Sequence, residues 1–218
     1  MLNLLKKEIS LCLHPTAFLF LGLCALVFVP NYPYEVIFFF SCLSVFFCCI
    51  MSRENGDIAF SCTLPVKKTS IPLARIMTTV GLQWTILILT MGLGAVKEVV
   101  LPEEMIVNLA GISANLALIA NGATLFGVFN LIFFPLYYKN PEKIGVPFVI
   151  GAVVVFVLII AFIVLRWATP LYGVILNGRN VQNTLAKVLA LLFGICVYAA
   201  FTFASCRLSM KNFRKVDL

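Results

Sequence analysis

Residues 53–75 read Arg-Glu-Asn-Gly-Asp-Ile-Ala-Phe-Ser-Cys-Thr-Leu-Pro-Val-Lys-Lys-Thr-Ser-Ile-Pro-Leu-Ala-Arg and form the most polar stretch of the chain. Long apolar runs flank this stretch on both sides. Asp57 can favour the N-terminus of a short helix that ends near Leu64, because negative charge is stabilised at that end. Pro65 disfavours helix at the residue before it. We therefore expect a short helix and a turn that connect two apolar helices.

The rest of the chain has the composition of a membrane protein. Its 218 residues are 62% hydrophobic and 11% charged, with a mean hydropathy of +1.06. Soluble domains are about half apolar and about a quarter charged. The net charge of +7 comes from basic residues at the ends of apolar runs, where anionic lipid and membrane topology explain them. We therefore expect a protein of the lipid bilayer that binds no nucleic acid.

Apolar runs of about 20 residues are long enough to span a bilayer, and six candidates occur along the chain. They are residues 16–32, 35–52, 73–96, 112–136, 146–166 and 186–206. The first is the weakest, because its uninterrupted apolar part covers only residues 16–29. Lipid offers no water to an open backbone, so each span is expected to be helical. The sequence predicts an all-α polytopic membrane protein with six transmembrane helices in a single domain, residues 1–218.

Basic residues divide unequally between the two sides of these spans. With the N-terminus in the cytoplasm, twelve lie on the cytoplasmic side and four lie outside. The twelve are Lys6, Lys7, Arg53, Lys67, Lys68, Arg75, Lys139, Lys143, Arg207, Lys211, Arg214 and Lys215; the four are Lys97, Arg166, Arg179 and Lys187. Because loops rich in lysine and arginine stay in the cytoplasm, we expect both termini there and residues 53–72 as a cytoplasmic loop.

Two shorter segments are predicted to lie along the membrane surface. Residues 1–14 repeat apolar side chains at helical spacing with Lys6 and Lys7 between them, which is typical of an interfacial amphipathic helix whose lysines face anionic lipid. Pro15 marks a break after this helix. Residues 167–185 are too apolar for a free loop and contain Trp167 and Tyr172, which predicts a short helix or re-entrant piece at the outer interface.

Motifs for catalysis or metal binding are absent from the sequence. The single histidine, His14, lies near the predicted inner interface, and none of the eight cysteines has zinc-ligand spacing. Asn108, Asn115 and Asn130 fall on one side of the predicted fourth helix and Gln83 lies in the third, which favours hydrogen bonds between helices. We therefore predict no catalytic, cofactor-binding or metal-ligating residues in this chain.

Small residues and phenylalanines distinguish two of the predicted helices. Ala120/Thr124 and Ala123/Gly127 are pairs four residues apart, so close packing of the fourth helix is expected. The second helix carries Phe38, Phe39, Phe40, Phe46 and Phe47. These rings could face lipid or the protein core, or they could line an apolar passage, and the pattern alone leaves these alternatives open.

Taken together, the chain resembles the small bacterial ABC-2 permeases, which are the transmembrane subunits of type V ABC exporters. The most specific part is Glu54-Asn55-x-Asp57-Ile58, then Leu64-Pro65-Val66-Lys67-Lys68, then Ala74-Arg75. Gly56 departs from the polar residue more often found at its position in that family. The short chain also looks like permeases that expel amphipathic peptides, such as the phenol-soluble-modulin and lantibiotic-immunity exporters.

The resemblance implies how the chain would work. Two permease subunits, identical or related, would pair in a bacterial cytoplasmic membrane, and each would rest on a separate ATPase subunit that binds ATP and Mg²⁺. Residues 57–68 would form the coupling helix that contacts this ATPase. The expected contact residues are Glu54, Asp57, Ile58, Phe60, Leu64, Pro65, Lys67, Lys68, Pro141 and Glu142.

The passage of this family is lined largely by the second and fifth helices. In this chain the resemblance therefore implies a lining of Phe39, Phe40, Phe46, Phe47, Phe148 and Phe156. An apolar passage without charge suits a hydrophobic or amphipathic cargo, such as a toxin-like peptide, better than a small ion. Two alternatives are a lipid-modifying membrane enzyme, with Glu54, Asp57 and His14 as its polar groups, and an ATP-independent carrier.

Overall fold

The computed structural model describes residues 2–12, 15–102, 108, 110–178 and 183–216. His14 and Arg179, to which the sequence assigns positions at the two interfaces, lie outside the described residues. Within the described residues every regular element is a helix, which confirms the all-α prediction.

The described residues form eight α-helices, and three of these helices are followed by a 3₁₀ or π-helical turn. They are α1 (Leu2–Lys7, continued by a π-helical turn, Glu8–Cys12), α2 (Thr16–Gly22, continued by a 3₁₀ turn, Leu23–Phe28), α3 (Glu35–Glu54), α4 (Asp57–Thr63), α5 (Ser70–Val100), α6 (Leu116–Tyr137), α7 (Gly145–Ala168, followed by a π-helical turn, Leu171–Leu176) and α8 (Thr184–Phe213). These are the helices of the described residues only.

Among the described residues, five helices are long and apolar enough to cross a bilayer: α3, α5, α6, α7 and α8. The first predicted span contains α2 and its 3₁₀ turn, seven and six residues long. Together they extend about 22 Å, less than the roughly 30 Å of a hydrocarbon core. Asn31, between Pro30 and Pro33, then has a φ of 57° and turns the chain into α3. Five of the six predicted spans are therefore confirmed as candidates, and the first stays a prediction.

Helices α6 and α8 approach each other closely along small residues. A Cβ added to Gly194 would lie 2.5 Å from the Ala120 carbonyl oxygen, and one added to Gly127 would lie 2.9 Å from Tyr198 Cα. Neither position has room for a side chain. The close packing predicted for the fourth span is confirmed, and its partner is the last helix.

Polar side chains add directional contacts inside this part of the bundle. The side-chain amides of Gln83 in α5 and Asn130 in α6 exchange two hydrogen bonds of 2.9 Å. Asn130 also donates to Thr202 over 3.2 Å, Tyr198 donates to Gln83 over 3.0 Å, and Ser205 donates to the Asn130 carbonyl over 2.6 Å. These contacts confirm the interhelical role predicted for Gln83 and Asn130.

The other two asparagines predicted to lie on the fourth helix lie before it. Asn115 is the N-cap of α6, and its side-chain oxygen accepts from the backbone of Ala117 and Leu118 at 2.9 and 3.2 Å. Asn108 donates to the Tyr32 carbonyl over 2.9 Å. The prediction of one helical face was wrong for both. Asn115 caps the first free N–H groups of α6 and therefore begins that helix, and Asn108 lies before the first residue of the helix.

The helix ends form two groups at opposite ends of the bundle, and side-chain contacts connect the members of each group. At the first, Arg53 donates to the Glu142 carbonyl over 3.4 Å, Asn212 donates to the Pro135 carbonyl over 2.8 Å, and Lys68 donates to the Val216 carbonyl. These bonds join the ends of α3, α6 and α8 to the start of α5. We call this group the basic end, because the residues predicted to be cytoplasmic lie there. The side of the membrane that it faces stays a prediction.

The opposite end is closed by contacts between α3, α5 and the segment before α6. Lys97 is buried and donates to the Tyr34 hydroxyl. Burial, with Glu35 beside it, raises the pKa of Tyr34 to about 12, so the phenol stays protonated. The Ser113 backbone N–H donates to the Asn177 side chain over 2.7 Å. The short helix predicted within residues 167–185 corresponds to the π-helical turn Leu171–Leu176.

Candidate functional site

The segment that links α3 to α5 is built around one unusual backbone conformation. Gly56 has a φ of 58°, in the left-handed region, and the chain turns there from α3 into α4. Left-handed backbone is costly for residues with a Cβ and free for glycine, which gives a local reason for the departure from a polar residue at this position. Helix α4 covers Asp57–Thr63, and Leu64 is extended. A short helix therefore stands where the sequence predicts one.

Four charged side chains form a closed ring at the basic end. Lys7 Nζ lies 2.5 Å from Asp57 Oδ1, and Asp57 Oδ2 lies 2.9 Å from Arg75 Nη2. Arg75 Nε pairs with Glu8 Oε2, and Glu8 Oε1 lies 3.5 Å from Lys7 Nζ. Each cation thus contacts two carboxylates and each carboxylate contacts two cations. We call these four residues the charge ring.

The charge ring is almost closed to its surroundings. The side chains of Lys7, Glu8, Asp57 and Arg75 are 12%, 1%, 4% and 4% exposed. Burial of an isolated charge is very costly, whereas a buried charge with an opposite partner and hydrogen bonds is tolerated. The ring has no net charge, so this condition is met without further ions.

Two serines add hydrogen bonds to the ring. Ser52, in the last turns of α3, accepts from Arg75 Nη2 over 2.9 Å and donates to Asp57 Oδ2 over 3.2 Å. Ser61 in α4 accepts from Lys7 over 2.5 Å and donates to the Asp57 carbonyl over 2.7 Å. The ring therefore joins four elements: α1 with its π-helical turn, the end of α3, α4 and the start of α5.

Helix α1 presents one face to this ring and another to its surroundings. Leu4, Lys7 and Glu8 face the protein, whereas Lys6 and Ile9 are exposed. The expectation that the lysines of this helix face anionic lipid is therefore wrong for Lys7, because Asp57 and Ser61 provide it with buried partners. Lys6 has the exposed position that the expectation requires.

Tyr138 lies near enough to Arg75 of the charge ring for the two side chains to interact electrostatically. Tyr138, directly after α6, is buried, and burial raises the pKa of its phenol well above its usual range while nearby Arg75 opposes the shift. Its ring meets Phe213 edge to face at 5.4 Å.

The predicted ATPase-contact residues divide into surface and buried groups. Glu54, Phe60, Pro65, Lys67 and Glu142 are exposed, with 54% of Phe60 accessible, and Leu64 and Lys68 are half-buried. Asp57, Ile58 and Pro141 are buried. Asp57 lies within the charge ring, so in this structure its carboxylate is not available to a partner protein, and a contribution from it to docking would be indirect.

A cleft of about 770 Å³ lies beside the second predicted contact loop. Its walls come from the end of α6, the loop that carries Lys139 and Glu142, and the end of α8 with Lys215. Arg53 connects the end of α3 to this loop through the Glu142 carbonyl. The cleft and the exposed side of α4 therefore belong to the same end of the bundle.

The four predicted passage residues in α3 lie on two different faces of that helix. Phe39 meets Phe156 edge to face at 6.0 Å, and Phe46 stacks on Phe148 at 4.3 Å, both across to α7. Phe20 in α2 stacks instead on Phe40 and Phe47, each at 6.2 Å. Residues seven apart share a helical face, and neighbours in sequence do not. The six rings therefore divide between two sets of contacts, one toward α7 and one toward α2, and their role in a passage stays a prediction.

From the sequence, Glu8 is assigned to no site. Arg75 contributes only to the predicted membrane orientation and to the resemblance to ABC-2 permeases. Two features of the sequence point to the pair. Glu8 is the only acidic residue before Glu35, and Arg75 lies inside an apolar run, where an unpaired charge is costly. Which acid would pair with Arg75 depends on how the chain folds back, and the spacing of residues does not provide that information.

Similarity to known proteins agrees with these features. The family described as ABC-2 family transporter protein matches residues 3–214, nearly the whole chain. No curated protein matches the chain, and no solved structure matches it. With five apolar helices long enough to cross a bilayer among its described residues, this multi-pass membrane protein belongs to the ABC-2 transporter family.

Proposed function

We propose that this chain is the membrane-spanning permease subunit of an ATP-driven exporter in a bacterial cytoplasmic membrane. A separate ATPase subunit binds ATP and Mg²⁺ and docks on the coupling segment, residues 57–68. A second permease subunit, identical or related, completes the transporter. The observation that carries the proposal is the position of α4: its outer side is exposed at the basic end, and its inner side is bound to α3 and α5 through the charge ring.

The exposed side of α4 has the composition of a docking surface. Phe60 offers an aromatic ring that is 54% exposed, and Pro65, Val66 and Lys67 extend the surface beyond the helix. Protein interfaces have apolar, often aromatic, centres and polar rims. Phe60 would fill a pocket of the ATPase subunit, and Lys67 with Glu54 would lie at the rim.

Force from the ATPase would pass from α4 to two membrane-spanning helices. The two residues Asn55 and Gly56 connect α3 directly to α4. Asp57, at the start of α4, binds Arg75 in the second turn of α5. A push on α4 would therefore tilt α3 and α5, the second and third of the predicted spans.

The contact between α3 and α7 is the proposed passage wall. Phe46 on Phe148 and Phe39 on Phe156 form aromatic contacts between the two helices. Phe156 is still 50% exposed on the outside of this chain. Such rings favour a hydrophobic or amphipathic cargo, for which a peptide of the toxin or antimicrobial type is the proposed example.

Co-purification tests this function. The chain is expressed with its neighbouring genes, isolated in mild detergent, and assayed for ATP hydrolysis with and without an amphipathic helical peptide. We expect a soluble ATPase in the eluate whose turnover changes with the peptide. A chain that elutes alone without ATPase activity would contradict the proposal and favour an ATP-independent carrier.

The lipid-modifying enzyme has no comparable support. Glu54 is exposed at the end of α3, and Asp57 is bound within the charge ring. His14 lies outside the described residues. Chemical conversion of lipid by the purified chain, lost in Glu54→Ala, would nevertheless establish that activity in place of transport.

A further inference from the structure

Helix α1 and the π-helical turn that continues it contribute one charge each to the ring, Lys7 and Glu8, and these two residues bind different partners. Lys7 binds Asp57 and Ser61, which both belong to α4. Glu8 binds Arg75, which belongs to α5. Two adjacent residues of the N-terminal segment therefore connect the coupling helix to the membrane-spanning helix that follows it.

Without α1, the coupling helix would be connected to α5 by far fewer charged contacts. Asp57 and Arg75 would remain as one ion pair of 2.9 Å, with Ser52 beside it. With α1 present, Arg75 has a second carboxylate and Asp57 has a second cation. A closed ring resists rotation about any one of its bonds, because each bond is held by the other three.

We propose that α1 braces the coupling site: through Lys7 and Glu8 it makes α4 and the first turns of α5 move as one body when the ATPase subunit pushes on α4. The inference rests on the function proposed above and extends it to the N-terminal segment. Lys7 and Glu8 are positioning residues, because they act through Asp57 and Arg75 rather than on cargo or nucleotide.

The test compares three variants. They distinguish the loss of the ionic contacts made by Lys7 and Glu8 from a change in the net charge of the ring. Glu8→Met leaves the ring with one cation in excess. The double variant Lys7→Met/Glu8→Met is neutral again, but α1 then has no ionic contact with α4 or α5. Lys6→Met is the matched control, since Lys6 lies on the same helix, is exposed and is not part of the ring.

Hydrogen exchange of the α4 backbone is the first readout, made on the purified full-length chain. In the double variant we expect the amides of residues 57–63 to lose about tenfold in protection relative to Lys6→Met, the loss expected for hydrogen bonds between charged groups. The amides of α6 and α8 should keep their protection, which shows that the bundle is folded. Equal protection of residues 57–63 in the double variant and the control would overturn the inference.

Transport per ATP is the second readout, made on the full complex in vesicles with a fluorescent amphipathic helical peptide. We expect the double variant to export less peptide per ATP hydrolysed than Lys6→Met, and no more than Glu8→Met. Recovery of transport in the double variant would show that only charge balance matters and would overturn the brace. If no ATPase subunit co-purifies, the proposed function fails, and the exchange measurement still decides whether α1 holds α4.

Discussion

The turn from α3 to α4 depends most directly on the backbone conformation of Gly56. Its φ of 58° is left-handed, and the space where a Cβ would lie is open. Gly56→Ala should therefore destabilise the protein through backbone strain alone, by about 1 kcal/mol. Denaturation of the purified chain in detergent measures this change.

A second glycine provides the matched control for that substitution. Gly81 in α5 also has open space at its Cβ, and its φ is not in the positive range. Gly81→Ala should leave stability unchanged or raise it, because alanine is the better helix former. Equal effects of the two substitutions would mean that the left-handed turn does not constrain the chain.

Single residues also show what the sequence could and could not predict. Gln83 and Asn130 lie in apolar helices, where an amide needs a partner, so their hydrogen bond follows from the sequence. Lys7 was predicted to face lipid, because lysines beside an apolar stripe usually do. Its buried partner Asp57 is 50 residues away in the sequence, and no local pattern connects them.

At the scale of elements, α4 is the proposed contact with the ATPase subunit, and Phe60 is its most prominent side chain. Phe60→Ala should weaken ATPase binding about tenfold or more, because an aromatic anchor in a partner pocket carries much of the binding energy of an interface. Co-purification in increasing detergent or salt measures the loss.

Thr63→Ala is the control for the Phe60 substitution. Thr63 is exposed on the same helix, and its hydroxyl donates to the Phe60 carbonyl over 2.7 Å. Its removal should change binding little. If Phe60→Ala binds the ATPase as tightly as Thr63→Ala, then α4 does not dock through its apolar side.

The two aromatic faces of α3 should differ in their effect on cargo. Phe46 stacks on Phe148 in α7, on the proposed passage wall, whereas Phe40 stacks on Phe20 in α2. Phe46→Ala should change which amphipathic peptides stimulate ATP hydrolysis, and Phe40→Ala should mainly reduce thermal stability, since the half-buried Phe40 ring loses its stacking on Phe20. Identical peptide preferences in the two variants would argue against a passage between α3 and α7.

The sequence predicts helix boundaries well where a long apolar run coincides with the helix. It predicts them poorly where a polar capping residue decides the first turn. The spans that became α3 and α7 were predicted to within about three residues at each end, whereas α6 begins at Leu116 instead of residue 112. Asn115 sets that boundary, because it was interpreted as part of a helical face and is in fact the N-cap. The apolar run that contains α2 is itself short and covers only residues 16–29.

For the whole molecule, the distribution of basic residues predicts that the basic end faces the cytoplasm. Cys62 on α4 is exposed at that end, so it can report the topology. With the seven other cysteines replaced, a membrane-impermeant thiol reagent should label Cys62 in inverted vesicles and not in intact cells. Labelling of intact cells would reverse the predicted orientation.

The opposite end supplies the control for this experiment. Glu98 lies in the last turn of α5 and is exposed. A cysteine introduced by Glu98→Cys in a chain without other cysteines should be labelled in intact cells. Together the two positions test the orientation that the unequal division of charge predicts.

The charge ring also imposes an order on the biogenesis of the protein. A polypeptide is synthesised from its N-terminus, at about 5–20 residues per second, and Glu8 is made 67 residues before its partner Arg75. Lys7 meets its partners once α4 has been made, but Glu8 has no final partner until α5 has left the ribosome. The N-terminal helix can therefore complete its contacts only after the third predicted span has been inserted.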